Sequence, residues 1–79
     1  MIQLKIQILG MGCPKCRQLA ERAAEAAARL GLDFEIEKVT ELAAITAMGA
    51  MITPALAVDG VLKLQGSVPT VEQLEEMLN

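Results

Sequence analysis

There is no histidine, tryptophan or tyrosine in these 79 residues, and Phe34 is the single aromatic. Without histidine, imidazole acid–base catalysis and every His-ligated metal site are excluded. No apolar run approaches the roughly 20 residues of a membrane span. The N-terminus alternates apolar and polar residues with Lys5 inside the alternation, which is not the plan of a signal peptide. A net charge of -3 argues against the uniformly basic surface that nucleic acid requires. Two cysteines are too few for the framework of a small secreted scaffold, which uses about 2–4 bridges. The expectation is a cytoplasmic protein with neither a membrane nor a nucleic acid as partner.

What is present points to an ordinary folded domain. Hydrophobic residues make up 53% and charged residues 22%, far from the composition of disordered chains. The length fits a single domain over residues 1–79. Twelve alanines beside one aromatic predict thin helices packed closely on a small sheet. Charge is uneven. Residues 1–30 carry five Lys and Arg against two Glu, and residues 31–79 carry two Lys against eight acids.

Periodicity gives the elements in order. Residues 2–9 place Ile2, Leu4, Ile6 and Ile8 on one face and Gln3, Lys5 and Gln7 on the other, a half-buried strand. Gly10 and Gly12 form a flexible joint. A helix is predicted from about 14 to 30, with Pro14 at its first position. Its apolar stripe is Cys16, Leu19, Ala20, Ala23, Ala27 and Leu30, while Arg17, Glu21, Arg22, Glu25 and Arg29 face water. Gly31 ends it. Residues 33–39 alternate again, so the first two strands should be parallel across a helical crossover. Thr40 is expected to cap a short helix through Met48, closed by Gly49. Asp59-Gly60 joins residues 55–58 and 61–64 in a tight hairpin. Thr70 and Gln73 form a capping box for a last helix that buries Val71, Leu74, Met77 and Leu78. The fold class is α/β, with the order β-α-β-α-β-β-α and one mixed four-stranded sheet flanked by three helices.

Chemistry concentrates in Cys13-Pro14-Lys15-Cys16. A cysteine at a helix start faces unpaired backbone N–H groups and the positive end of the helix dipole, which favour a thiolate. The thiolate is the form that attacks disulfides and binds soft metals. Lys15 and Arg17 add positive charge, and Cys16 is expected to be the more buried sulfur. A bond between the two cysteines would close too short a loop to stabilise the fold much, so redox cycling explains the spacing better. A structural zinc site needs about four ligands, and this chain offers two thiols. Dithiol–disulfide exchange and soft-metal carriage are the two candidates. Met11, Met48 and Met51 could surround the site as thioethers, but methionines more often serve as adaptable core or contact surface.

Two family resemblances bear on that choice. Gly10-Met11-Gly12-Cys13-Pro14-Lys15-Cys16 resembles the Gly-Met-x-Cys-x-x-Cys loop of copper chaperones and heavy-metal-associated domains, which implies Cu(I) held by the two thiolates. Those domains finish on a strand, whereas this chain finishes on a well-capped helix. The run Thr53-Pro54-Ala55-Leu56-Ala57-Val58-Asp59-Gly60 resembles the cis-proline segment and hairpin of the thioredoxin superfamily. Gly66-Ser67-Val68-Pro69-Thr70 and the closing helix resemble the same region of small thioredoxin- or glutaredoxin-like redox-active disulfide proteins. This second resemblance covers nearly the whole chain. It implies a thiol–disulfide oxidoreductase in which Cys13 and Cys16 are catalytic. Gly12, Pro14, Lys15, Thr53, cis-Pro54 and Gly66 would shape the site or bind substrate.

The same resemblance implies no cofactor beyond the redox-active disulfide itself. Partners would be substrate protein disulfides and a disulfide reductase or small-thiol electron donor, with the protein a monomer. The sequence departs from the family at three places. Gly12 stands where thioredoxins usually have Trp, Lys5 and Gln7 occupy the stretch that often holds a buried acid, and Lys15 replaces the aromatic common after Cys-Pro in glutaredoxins.

Overall fold

The computed structural model describes residues 4–10 and 14–78. β1 (Leu4–Leu9) leads into α1 (Pro14–Arg29), and β2 (Phe34–Val39) follows. Next come α2 (Leu42–Ala47), the hairpin of β3 (Ala55–Val58) and β4 (Val61–Gln65), and α3 (Val71–Leu78). The sheet order is β2-β1-β3-β4. β1 pairs parallel with β2, Leu4 opposite Phe34 through Leu9 opposite Val39. It pairs antiparallel with β3, Ile6 opposite Val58 through Leu9 opposite Ala55. This is the expected α/β architecture with a mixed four-stranded sheet and three helices.

The alternation in β1 explains its central place. Ile6 and Ile8 enter the larger core, with Leu56 and Val58 of β3 and the buried face of α1. That helix face is Leu19 with Ala20, Ala23, Ala26 and Ala27. Alanine leaves little between backbones, so α1 lies close to the sheet and to Leu74 and Leu78 of α3 in the same cluster. On the opposite face Leu9, Ile45, Ala50 and Ala55 form a second, smaller core under α2. Beyond it the sheet is polar. Lys5 Nζ lies 3.7 Å from Glu37, and Gln7 Nε2 donates to Glu37 at 2.8 Å. Each fully buried leucine or isoleucine contributes roughly 1.5–3 kcal/mol, and Ile6, Leu9, Leu19, Leu56 and Leu74 are the largest of them.

Local signals set the boundaries. Asp59 (φ 51°) and Gly60 (φ 84°) both adopt positive φ, as a two-residue hairpin turn of the primed type demands. Asp59 also ties the turn to β1. Its N–H donates to the Lys5 carbonyl at 2.8 Å, and its Oδ1 accepts from the Lys5 N–H at 3.0 Å. The β3–β4 register shifts between Leu56 and Ala57, a bulge that disrupts an otherwise pairable edge strand. α1 ends as expected. Gly31 (φ 69°) donates to Ala28 and Leu32 donates to Ala27, the bond pattern that satisfies terminal helix carbonyls.

Two expectations are corrected. Thr40 does not cap α2. Glu41 occupies the N-cap position without a side-chain cap bond, because Thr40 belongs to the exit of β2 and lines a hollow beside Cys16. Arg22 does not simply face water. Its Nη1 donates to the carbonyls of Val68 (3.3 Å) and Pro69 (3.0 Å), holding the segment before α3 against α1. Arg29 does stay at the surface. It lies 3.2 Å from Glu25 and 3.8 Å from Glu72 of α3, exposed pairs of the kind worth about 0–1 kcal/mol.

The α3 capping box forms in both directions. The Gln73 N–H donates to Thr70 Oγ1 at 3.2 Å, and the Thr70 N–H donates to Gln73 Oε1 at 2.9 Å. Thr70→Ala should therefore lower stability by about 1 kcal/mol, read as a lower urea midpoint with an unchanged m-value.

Candidate active site

The site is built where β1 ends and α1 begins. Strand alternation carries Gly10 to the α1 side of the sheet, in step with Ile6 and Ile8. Gly10 is buried, and its N–H donates to the Val39 carbonyl at 3.0 Å. A β-carbon on Gly10 would overlap Cys16 Sγ and stand 3.9 Å from Thr53 Cβ. The Cys16 sulfur therefore sits hard against the Gly10 backbone, close to the residue that precedes Pro54. Cys16 is 6% exposed.

The first turn of α1 is electropositive. Pro14 opens the helix, the turn holds no acidic residue, and Lys15 and Arg17 are exposed beside it. The amides of such a turn have no intrahelical acceptor and favour negative charge at the helix start. Gly12 and Cys13, with Met11, lie outside the described residues. In the sequence Cys13 directly precedes Pro14.

The facing wall is the segment from Met51 to Pro54. The Thr53–Pro54 peptide bond is cis. Thr53 is exposed and Pro54 buried. The Pro54 carbonyl accepts from the Gly66 N–H at 2.8 Å. Gly66 has φ 80°, and a β-carbon there would come within 3.0 Å of Ile52 Cγ2. Gly66 is thus a positive-φ residue at which a side chain would crowd Ile52. Gln65 at the end of β4 holds the loop, its Oε1 accepting from the Met51 and Ile52 N–H groups at 2.8 and 3.2 Å. Met51 is 91% exposed. With Leu42, Ile45, Thr46, Ala50 and Thr53 it lines an open, mainly apolar hollow between α2 and this loop. Met48 is instead packed against the smaller core.

The structure thus brings Cys16 together with Gly10, Thr53 and the cis Pro54, with Pro14 and Lys15 on the adjoining helical turn. A thioredoxin-domain family model matches residues 4–79. The chain belongs to the thioredoxin family. It is 43% identical over 76 residues to a thioredoxin of Methanothermobacter thermautotrophicus, covering 96% of this chain and 99% of that one. It is 42% identical over 77 residues to a thioredoxin of Methanocaldococcus jannaschii, covering 98% of this chain and 88% of that one. As a member of this family it is a dithiol–disulfide oxidoreductase. Among the described residues no group of three or more His, Cys, Asp or Glu is placed to hold a metal ion. No described helix is long and apolar enough to cross a membrane.

Two residues of this thioredoxin-family site were not read as packing or holding it: Gly10 appeared as a flexible joint and in the metal-loop resemblance, and Gln65 had no role. The parity of β1 was a usable signal for Gly10, because position 10 falls on the face where α1 must begin. For Gln65 there was no comparable signal. Its partners are backbone amides across a loop, and any polar residue at a strand end reads as solvent-facing. Gly10→Ala should force Cys16 aside and cost about 1–3 kcal/mol, as overpacking of a filled interior does. Chemical denaturation measures the loss, and a changed rate of thiol alkylation at Cys16 shows the displacement.

Proposed function

We propose that this thioredoxin-family chain, a single domain over residues 1–79, exchanges electrons with protein disulfides through the Cys13-Pro14-Lys15-Cys16 dithiol. The Cys13 thiolate attacks one sulfur of the substrate disulfide, the substrate bond breaks, and a mixed disulfide forms. The Cys16 sulfur then attacks Cys13, the mixed disulfide breaks, and the substrate leaves as a dithiol. Cys13 and Cys16 remain joined, so two electrons have passed to the substrate. The observation that carries this reading is the packing of Cys16 Sγ on Gly10 beside Thr53, at the first turn of a helix without acidic residues. A sulfur held there is buried, and two residues separate it from Cys13 in the sequence.

The remaining residues divide the work. Lys15 and the first-turn amides favour a thiolate at Cys13. Pro14 starts the helix, and Gly12 shapes the approach by contributing no side chain next to Cys13 in the sequence. Thr53 offers its backbone to an extended substrate segment, Pro54 shapes the groove, and Gly66 keeps its far side open. No bound cofactor is needed, since the disulfide itself carries the electrons, and a reductase or small thiol restores the dithiol. The protein acts as a cytoplasmic monomer. The metal-carrier alternative has less support, because the last described element is helix α3 rather than the closing strand of a heavy-metal-associated domain.

Cys13→Ser should abolish reduction of insulin disulfides, whereas Cys16→Ser should accumulate mixed disulfides visible by intact-mass measurement. Equilibration in graded thiol buffers should give a reversible two-electron couple near the value typical of thioredoxins, about -270 mV. Normal insulin reduction by Cys13→Ser would overturn the assignment of roles.

A further inference from the structure

The chain between α2 and β3 runs over residues 48–54, and its backbone is tied down in a definite order. The N–H groups of Met48, Gly49 and Ala50 donate to the carbonyls of Ala44, Thr46 and Ile45 in α2. At the far end the Pro54 carbonyl accepts from Gly66 at 2.8 Å. Between these points the Met51 and Ile52 N–H groups donate to a single atom, Gln65 Oε1, at 2.8 and 3.2 Å. A carbonyl oxygen has lone pairs for both. Gln65 ends β4 opposite Ala55. Paired residues share a face of the sheet, so Gln65 projects to the α2 side, where Ala55 is buried in the smaller core. Gln65 and Gly66 thus hold the loop before and after Thr53. Thr53 itself is exposed, and among the described residues its N–H and carbonyl have no hydrogen-bond partner. A backbone unit presented in this way can pair with an extended polypeptide, as a strand edge does.

We propose that Gln65 is a positioning residue that makes this site favour polypeptide disulfides over small ones. The proposal rests on the dithiol reading of Cys13 and Cys16 and on the pairing of substrate with Thr53. Met51 and Ile52 lie outside every described helix and strand, so without Gln65 their amides would turn to water and the loop would be free to move. Ordering such a loop at each docking event costs conformational entropy. Gln65 has ordered it beforehand, and Thr53 meets the substrate strand in one direction. Ile52 is held from the same strand end, since a β-carbon on Gly66 would come within 3.0 Å of its Cγ2. A small disulfide has no strand to pair, so its reaction depends on the cysteines and not on how Thr53 is presented. Gln65 acts on the substrate only through the loop it holds.

The test compares second-order rate constants of the reduced protein towards insulin, a polypeptide disulfide, and hydroxyethyl disulfide, a small one. Gln65→Leu removes the acceptor, Gln65→Asn keeps the amide on a shorter stem, and Gln65→Glu keeps an acceptor at the same reach. In Gln65→Leu and Gln65→Asn the insulin rate should fall about three- to tenfold, the scale of one or two neutral hydrogen bonds. The hydroxyethyl disulfide rate should stay unchanged in both, and Gln65→Glu should keep the native ratio of the two rates. Amide hydrogen exchange at Met51 and Ile52 should quicken in Gln65→Leu and Gln65→Asn but not in Gln65→Glu. An unchanged insulin rate in Gln65→Leu and Gln65→Asn, an equal loss towards both disulfides, or failure of Gln65→Glu to keep the ratio overturns the role of Gln65 and leaves the dithiol chemistry standing. Native protein that reduces neither disulfide overturns the dithiol reading itself.

Discussion

The contact between the Cys16 sulfur and the backbone of Gly10 sets the geometry of everything around it. A side chain at position 10 would occupy the space the sulfur fills, so glycine fixes how closely the start of α1 approaches the end of β1. Through that approach the buried face of α1 reaches Ile6 and Ile8. The same contact sets the cysteine beside Thr53. Gly10 is not loose for being a glycine. Its N–H is bonded to Val39, so β1 and β2 remain paired through Gly10.

Around this point the fold uses single side chains to hold loops that have little core of their own. Gln65 fixes the backbone of Met51 and Ile52, Arg22 fixes the carbonyls of Val68 and Pro69, and Asp59 joins the hairpin turn to Lys5. Each replaces solvent partners for backbone groups that a chain this small cannot place in secondary structure. The apolar residues Met51 and Ile52 can therefore stand exposed while their backbone is held. A contact surface of this kind is ordered before a partner arrives, so less conformational entropy is lost on binding.

Much of this was legible in the sequence because period and punctuation agreed. The alternation in β1 and β2, the alanine-rich stripe of α1, Asp59-Gly60 and the Thr70–Gln73 pair each specify local geometry, and the structure follows them. The buried position of Cys16 followed from its place on the apolar stripe. What could not be read were interactions made across the chain. Arg22 reads as solvent-facing on its own helix, yet its guanidinium reaches carbonyls that arrive only when α3 packs. Thr40 is a fair N-cap by residue type, but β2 and its exit take one more residue than the pattern suggested, and Glu41 inherits the position. Parallel pairing of β1 and β2 was expected from the strand–helix–strand order, but the register that sets Lys38 opposite Ile8, and so beside Cys16, was not.

The hollow lined by Cys16 and the one at α2 differ in a way that the charge map alone would not suggest. Residues 1–30 are basic and the remainder acidic, yet the cations beside the sulfur come from both parts, Arg17 from α1 and Lys38 from β2. Parallel pairing places the C-terminal ends of β1 and β2 at the same edge as the helix start, so a lysine late in β2 adds to the field that the first turn of α1 already produces. The acids of β2 are kept from cancelling it by strand alternation, and those of α3 by distance along α1, where Arg29 meets them. The hollow at α2, which Cys16 does not line, is walled by Thr53 with the apolar residues of α2 and its following loop. The two hollows therefore select what enters them by different physics, one screened by salt and the other not.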